Sequence, residues 1–166
     1  MNVVDNFLSD NDFETLRDGV LNNPNFSWNL SYGVADDLDG DTYFVHEFYK
    51  NHAPTSPHIN LLSPVLEQIQ PTGLIRIKGN LYMKGSEVTE HNMHTDYPYK
   101  HSGFIIYLNT CNGYTKLEDG TKVASIANRA MYFNSDEPHC SSTCTDDIFR
   151  ANININYYNE QTFTNA

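Results

Sequence analysis

Three stretches of the chain alternate with a period of two, and in each the two faces differ in kind. In GLIRIKGNLYMK, Ile75, Ile77, Leu81 and Met83 fall on one side and Arg76, Lys78, Asn80 and Tyr82 on the other. In GFIIYLN, Phe104, Ile106 and Leu108 oppose Ile105, Tyr107 and Asn109. In RANININYY, Ala151, Ile153, Ile155 and Tyr157 oppose Arg150, Asn152, Asn154 and Asn156. Successive side chains of a strand point to opposite faces, so each stretch reads as a strand with one apolar and one polar side. The apolar faces suit packing under helices. The polar faces have two readings. They are open to water on an exposed sheet, or they line the interior of a two-sheet barrel, where polar groups are costly unless they find partners. The second reading makes sense for a barrel that holds something small and charged. Alternation alone leaves both open.

The remaining pattern places these strands in a fold. Ser9 or Asp10 caps a helix running to about Leu21, with Phe13, Leu16, Val20 and Leu21 on one face. A polar loop is expected over Gly33–Asp41, a strand over Thr42–Tyr49, and a second helix from near Ser56-Pro57 to just before Pro71. Shorter strands are expected near Val88, Val123, Met131 and His139, separated by turn signals at Asn112-Gly113, Asp119-Gly120 and Thr145–Asp147. Helices first and then about eight closely spaced strands predict a mainly β fold with N-terminal helices, a β-sandwich or jelly-roll barrel. With 166 residues, a single domain is expected, helical over about 1–70 and β over about 72–158.

A net charge of −11 excludes the basic stripe of a nucleic-acid-binding domain and argues against an anionic membrane surface. The opening MNVVDNFLSDND has no basic, apolar leader, and no segment is long and apolar enough to span a bilayer. Cys111, Cys140 and Cys144 are an odd number without zinc spacing, so free thiols in a reducing cytoplasm are expected. A Cys140–Cys144 pairing is the alternative.

His94-Thr95-Asp96 is a weak motif alone. It gains weight from His139, which begins a strand after a Pro-marked turn. Two histidines and a carboxylate can occupy one face of an octahedron and leave three positions open, which suits non-haem Fe(II). A 2-oxo acid and dioxygen can fill those positions. The far carboxylate of such a co-substrate needs a buried cation, and Arg150 is placed for it, on a strand expected to neighbour that of His139. Tyr107 can add a hydroxyl donor, and Tyr82 another contact. Tyr97, Tyr99 and His101, in the loop beyond Asp96, are candidates for substrate contact; for His101 a solvated loop position is the plainer reading. His91 has turn spacing to His94 and is not expected to be a ligand. Cys140 should point away from His139.

Taken together, Tyr82-x-x-Gly85, His94-Thr95-Asp96, Tyr107-Leu108-Asn109, Gly113-Tyr114-Thr115, Ala130–Phe133, Pro138-His139 and Arg150 resemble the Fe(II)/2-oxoglutarate-dependent dioxygenases, in their prolyl-4-hydroxylase-like branch. The resemblance covers about Leu74–Tyr158, and DNFLSDNDFETLRDGVL looks like the entry helix of these enzymes. It implies a double-stranded β-helix, with His94, Asp96 and His139 as iron ligands and Arg150 with Tyr107 as the 2-oxoglutarate clamp. It implies hydroxylation of an unactivated C–H bond, peptidyl proline among the targets, using O2 and releasing succinate and CO2. The family often has two adjacent glycines where this chain has only Gly113. Two rivals stand beside this reading. A zinc hydrolase would use the same three ligands but gives Arg150 and Tyr107 no task, and there is no H-E-x-x-H. A non-catalytic jelly-roll binding module needs neither triad nor buried cation.

Overall fold

The structure, a computed structural model, describes residues 1–35 and 41–159. Residues 36–40 of the expected Gly33–Asp41 loop lie outside the described residues. The elements run β1 (Asn2–Val4), α1 (Asp10–Leu21), β2 (Asn29–Tyr32), β3 (Thr42–Lys50), β4 (Ala53–Pro54), a 3-10 turn (Ile59–Leu62), α2 (Ser63–Ile69) and β5 (Gly73–Met83). They continue with β6 (Ser102–Tyr107), β7 (Tyr114–Leu117), β8 (Lys122–Ala124), β9 (Ala130–Asn134), β10 (His139–Ser141) and β11 (Phe149–Tyr158).

The first helix starts where its sequence says. Ser9 Oγ accepts from the Asp12 amide at 3.2 Å, and Asp10 and Asp12 complement the positive helix end. Phe13, Leu16 and Val20 face inward. The second helix is shorter than expected. Ile59–Leu62 forms only a 3-10 turn; Pro64 then favours the first turn of α2, and Gln70 ends it at a left-handed φ of 45° before Pro71.

The strands pair antiparallel in two sheets. The larger has the order β1-β9-β6-β11-β5-β3-β2, with β4 added beside β3; the smaller has the order β10-β7-β8. The two sheets face each other as a double-stranded β-helix. The apolar faces of β5, β6 and β11 supply Ile77, Leu81, Phe104, Ile106, Ile153 and Ile155, and Leu108 just beyond β6 joins them. These pack with Phe13, Leu16, Val20, Leu62 and Val65 from the helical part. Their opposite faces look into the space between the sheets, so the polar alternation belongs to the barrel interior. Arg76, Lys78, Asn80 and Tyr82 pair in register with Asn156, Asn154, Asn152 and Arg150.

Two expectations are corrected. No regular strand forms at Val88: the Gly85–Thr95 segment lacks sustained alternation and touches the small sheet through single bridges, Glu90 to Ser142 and His94 to His139. Nor are His139 and Arg150 on neighbouring strands. β10 belongs to the small sheet and β11 to the large one, because residues 142–148 cross between sheets. The two side chains therefore approach from opposite walls of the barrel. All three cysteines are free and buried. Cys144 lies within hydrogen-bonding reach of Cys111 rather than forming the alternative pair with Cys140.

Candidate metal centre

His94 and His139 are brought together by backbone pairing. Each donates its amide to the other's carbonyl at 2.9 Å, which sets the rings 4.9 Å apart. The Asp96 amide donates to the Ser135 carbonyl at 3.1 Å, which turns its carboxylate toward the same point. Ligand atoms of His94, Asp96 and His139 all lie within 4.8 Å of one another. His139 Nε2 is 3.8 Å from Asp96 Oδ2.

Both imidazoles are oriented by the nitrogen that faces away from this point. His94 Nδ1 meets the Asn92 carbonyl at 3.2 Å, and His139 Nδ1 meets the Glu137 carbonyl at 3.0 Å. A carbonyl only accepts, so each Nδ1 carries the proton and each Nε2 keeps its lone pair for a ligand. Burial, followed by the neighbouring His139 ring, depresses the His94 pKa and favours the neutral imidazole.

Asp96 is the most heavily supported group in the barrel. Its Oδ1 accepts from Arg76 Nη2 at 2.6 Å. Its Oδ2 accepts from Ser135 Oγ at 2.5 Å, Asn156 Nδ2 at 2.8 Å and Asn154 Nδ2 at 3.2 Å. Burial alone would raise its pKa, but the Arg76 guanidinium and the hydrogen bonds prevail and hold the carboxyl well below its ordinary range. Arg76, Ser135 and Asn156 were not singled out as site residues in the sequence. The only signal for Arg76 and Asn156 was membership of the polar faces of β5 and β11.

Arg150 is fully buried. Its guanidinium carbon lies 5.5 Å from the Tyr82 ring centre and 5.4 Å from that of Tyr107. Nη2 donates to Thr115 Oγ1 at 2.9 Å, and Nη1 reaches the Ser142 carbonyl at 3.4 Å. Nε has no hydrogen-bond partner. Among the described residues no carboxylate pairs with it. Asp146 and Asp147, its nearest acidic neighbours in sequence, accept instead from the Asn112 amide and from Asn109 Nδ2. Tyr107 donates its hydroxyl to the same Thr115 Oγ1 at 2.9 Å. Burial pushes the hydroxyl pKa of both Tyr107 and Tyr82 upward. Thr115, at the end of the Gly113-Tyr114-Thr115 motif, is thus the joint between the two expected clamp residues.

Gly113 explains why one glycine is required in that motif. A Cβ there would lie 2.6 Å from Arg150 Cδ and 2.7 Å from the Thr143 carbonyl, too close for any side chain. The strand end packs directly against the arginine stem.

The remaining candidates occupy different places. Tyr82 stacks on Tyr43, ring centres 5.3 Å apart and planes 7° apart. Tyr97 and Tyr99 stack at 5.3 Å, and the Arg76 guanidinium lies 5.3 Å from the Tyr97 ring. Tyr99 is 43% exposed. His101 is not the solvated loop histidine expected. It is buried, its Nδ1 bonded to the Tyr99 carbonyl at 2.7 Å and its Nε2 3.3 Å from the same Asn156 amide that supports Asp96. His91 is outside the cluster and bonds Ser141 Oγ at 2.8 Å. Cys140 is buried, in register with Lys116 of β7. The cavity at the cluster is lined by Lys78, Asn80, Tyr82, Thr115 and Asn152 beside the three candidate ligands. It measures about 30 Å³, room for a single water.

No protein-family model and no curated protein sequence matches the chain. Solved structures do. A prolyl hydroxylase from Trichoplax adhaerens, in complex with a hypoxia inducible factor oxygen degradation domain peptide, superposes with a TM-score of 0.69 at 16% identity, covering 99% of this chain and 86% of that one. The viral collagen prolyl hydroxylase of Paramecium Bursaria Chlorella virus-1, as its 2-oxoglutarate complex, gives 0.64 at 10% identity, covering 96% of each chain. A Pseudomonas putida prolyl-4-hydroxylase gives 0.59 at 14% identity, covering 95% of this chain and 92% of that one. Sequence identities this low carry the architecture, and the architecture is that of the prolyl hydroxylases over nearly the whole chain.

Proposed function

We propose that this protein is an Fe(II)- and 2-oxoglutarate-dependent dioxygenase that hydroxylates an unactivated C–H bond, releasing succinate and CO2. The observation that carries the reading is Arg150: a fully buried guanidinium bonded to Thr115, which lines the cavity of the His₂-Asp cluster, with an orphaned Nε and no carboxylate partner among the described residues. A buried cation is costly unless an anion accompanies it. A dicarboxylic co-substrate held by the metal at one end supplies that anion at the other.

The donor set fits the metal. His94 Nε2, His139 Nε2 and an Asp96 oxygen would hold Fe(II), with two neutral imidazoles and one ionised carboxylate leaving positions for exogenous ligands. Bound there with 2-oxoglutarate, Fe(II) supplies the oxidising power for activating O2. The protein's own residues would orient and shield. Asn92 and Glu137 carbonyls fix the ring tautomers; Arg76, Ser135 and Asn156 fix the carboxylate. Arg150 and Thr115, with Tyr107 and Tyr82 around them, would hold the far carboxylate of 2-oxoglutarate and keep water from it. Entry of a five-carbon diacid into a space of about 30 Å³ requires displacement of side chains, and among those lining it the long stem of Lys78 is best able to move.

Zinc hydrolysis at the same ligands leaves the buried Arg150 without a role, as does a non-catalytic barrel. The relatives of like fold named above are prolyl hydroxylases, one of them seen with a peptide and one with 2-oxoglutarate. Peptidyl proline is therefore the first substrate to test, with Tyr97 and the exposed Tyr99, in the loop that follows Asp96, as candidates to meet it.

The test is anaerobic titration with Fe(II) and 2-oxoglutarate, following the weak visible metal-to-ligand charge-transfer band. The band is expected in the unmodified protein, absent in His139→Ala, and reached only at far higher 2-oxoglutarate in Arg150→Ala. A folded protein that takes up iron and gives no band overturns the reading.

A further inference from the structure

Three cations point into the polar interior, and two are matched. Arg76 pairs with Asp96 at 2.6 Å. Arg150 is matched, on the reading above, by the far carboxylate of the co-substrate. Lys78 remains. It lines the same cavity as His94, Asp96 and His139. Its Nζ donates to the Tyr43 hydroxyl at 2.9 Å, and among the described residues no carboxylate is in ion-pair range. Glu47, its register partner on β3, is occupied by Lys50 at 2.6 Å.

A lysine commonly turns its tip to water. This one lines the cavity instead, and its ammonium has three donors, of which Tyr43 takes one. The charge count of the loaded site points the same way. 2-Oxoglutarate brings two negative charges; one goes to Arg150 and the other to the metal. Neither is available to Lys78.

We propose that Lys78 binds a carboxylate carried by the substrate itself, and so selects acidic substrates and fixes which of their C–H bonds faces the metal cluster. This rests on the dioxygenase reading and narrows its substrate class. The carboxylate belongs either to a small free acid, such as an amino acid, or to an acidic side chain in a peptide; the recognition chemistry is the same.

The test uses sodium acetate as the probe, added to the anaerobic protein saturated with Fe(II) and 2-oxoglutarate at constant ionic strength. Acetate is expected to shift the charge-transfer band saturably. Lys78→Met should raise the half-saturating concentration by at least about tenfold, the weight of a hydrogen bond to a charged group, while Lys78→Arg keeps most of the response. Equal responses in wild type and Lys78→Met overturn the proposal. So does no response in wild type, or loss of the band through displacement of 2-oxoglutarate. If no band forms before acetate is added, the dioxygenase reading has failed separately. Calorimetry of acetate binding to metal-free Arg150→Met protein, with and without Lys78→Met, then decides Lys78 alone, an unchanged heat refuting it. L-alanine and an end-capped Ala-Asp-Ala peptide, titrated in place of acetate, name the source by which of them reproduces its response.

Discussion

Replacing Arg150 with methionine separates a functional cation from a structural one. The arginine's local contacts are two aromatic faces at 5.5 and 5.4 Å and one good hydrogen bond to Thr115 at 2.9 Å. The rings contribute up to about 2 kcal/mol each when desolvated, and the charged hydrogen bond about 1.5–3 kcal/mol. Against this stands the cost of burying a guanidinium with an unpartnered Nε and, among the described residues, no carboxylate, several kcal/mol. The terms nearly cancel, so in the absence of ligand Arg150→Met should change unfolding free energy by no more than about 2 kcal/mol in either direction. Binding is a different matter. Loss of the cation that meets a buried carboxylate costs about 2–5 kcal/mol, which is roughly 30-fold to several thousand-fold in 2-oxoglutarate affinity. Thermal denaturation with Mn(II), with and without 2-oxoglutarate, reads both quantities. Wild type at a hundred times its dissociation constant gains about 2.7 kcal/mol; the variant should gain no more than about 0.9 kcal/mol at that concentration. A variant that unfolds far more easily without ligand, or that keeps the 2-oxoglutarate gain, refutes the reasoning.

Other perturbations test the parts around it. Asp96→Asn should abolish tight metal binding in an equilibrium dialysis measurement, because the two histidines then lack the ionised third ligand while Arg76 loses its counter-charge. Gly113→Ala places a methyl 2.6 Å from Arg150 Cδ and 2.7 Å from a backbone oxygen; it should destabilise by about 1–3 kcal/mol in urea denaturation and weaken 2-oxoglutarate binding as well. Acid should act in two steps of the same sign. His94 has a depressed pKa when folded, so the unfolded chain binds the extra proton and stability begins to fall as pH drops below 6.5. Asp96 is also depressed, so its contribution is intact above the ordinary value of 3.8 and is lost as pH falls further, through its folded pKa. Urea midpoints measured from pH 8 to 3 on wild type and Asp96→Asn should keep a constant gap down to about pH 4 and begin to close it only below the ordinary value of 3.8.

Much of this was legible from alternation. The polar faces of β5 and β11 are the walls of the barrel, and the apolar faces are the core under α1 and α2. The His94, Asp96 and His139 cluster follows from residue type and order along the chain. What alternation does not carry is which sheet a short strand joins. His139 was expected beside Arg150 because a turn signal lies between them, yet the chain crosses the barrel there. A turn motif reports local backbone reversal; sheet membership depends on long-range pairing, here of β10 with β7. Asp96 illustrates a second limit. Its four side-chain donors come from Arg76, Ser135, Asn154 and Asn156, up to 60 residues away in sequence. No local motif encodes such a network.

That network also bears on why a polar barrel interior can fold before any ligand arrives. Arg76 and Asp96 neutralise each other, and Asn80 and Asn152 bond across the strand pair at 3.0 Å. The remaining orphaned atoms fall mainly on the same polar faces: Arg76 Nε, Arg150 Nε and the amide oxygens of Asn80, Asn154 and Asn156. Each unpaired buried group costs about 1–3 kcal/mol. The apolar side of the same three strands carries the folding, through a core in which Ile77, Phe104, Ile106, Ile153 and Ile155 are fully buried. One face of each strand therefore holds the barrel together, and the other is left under-satisfied, where a charged ligand gains most by binding.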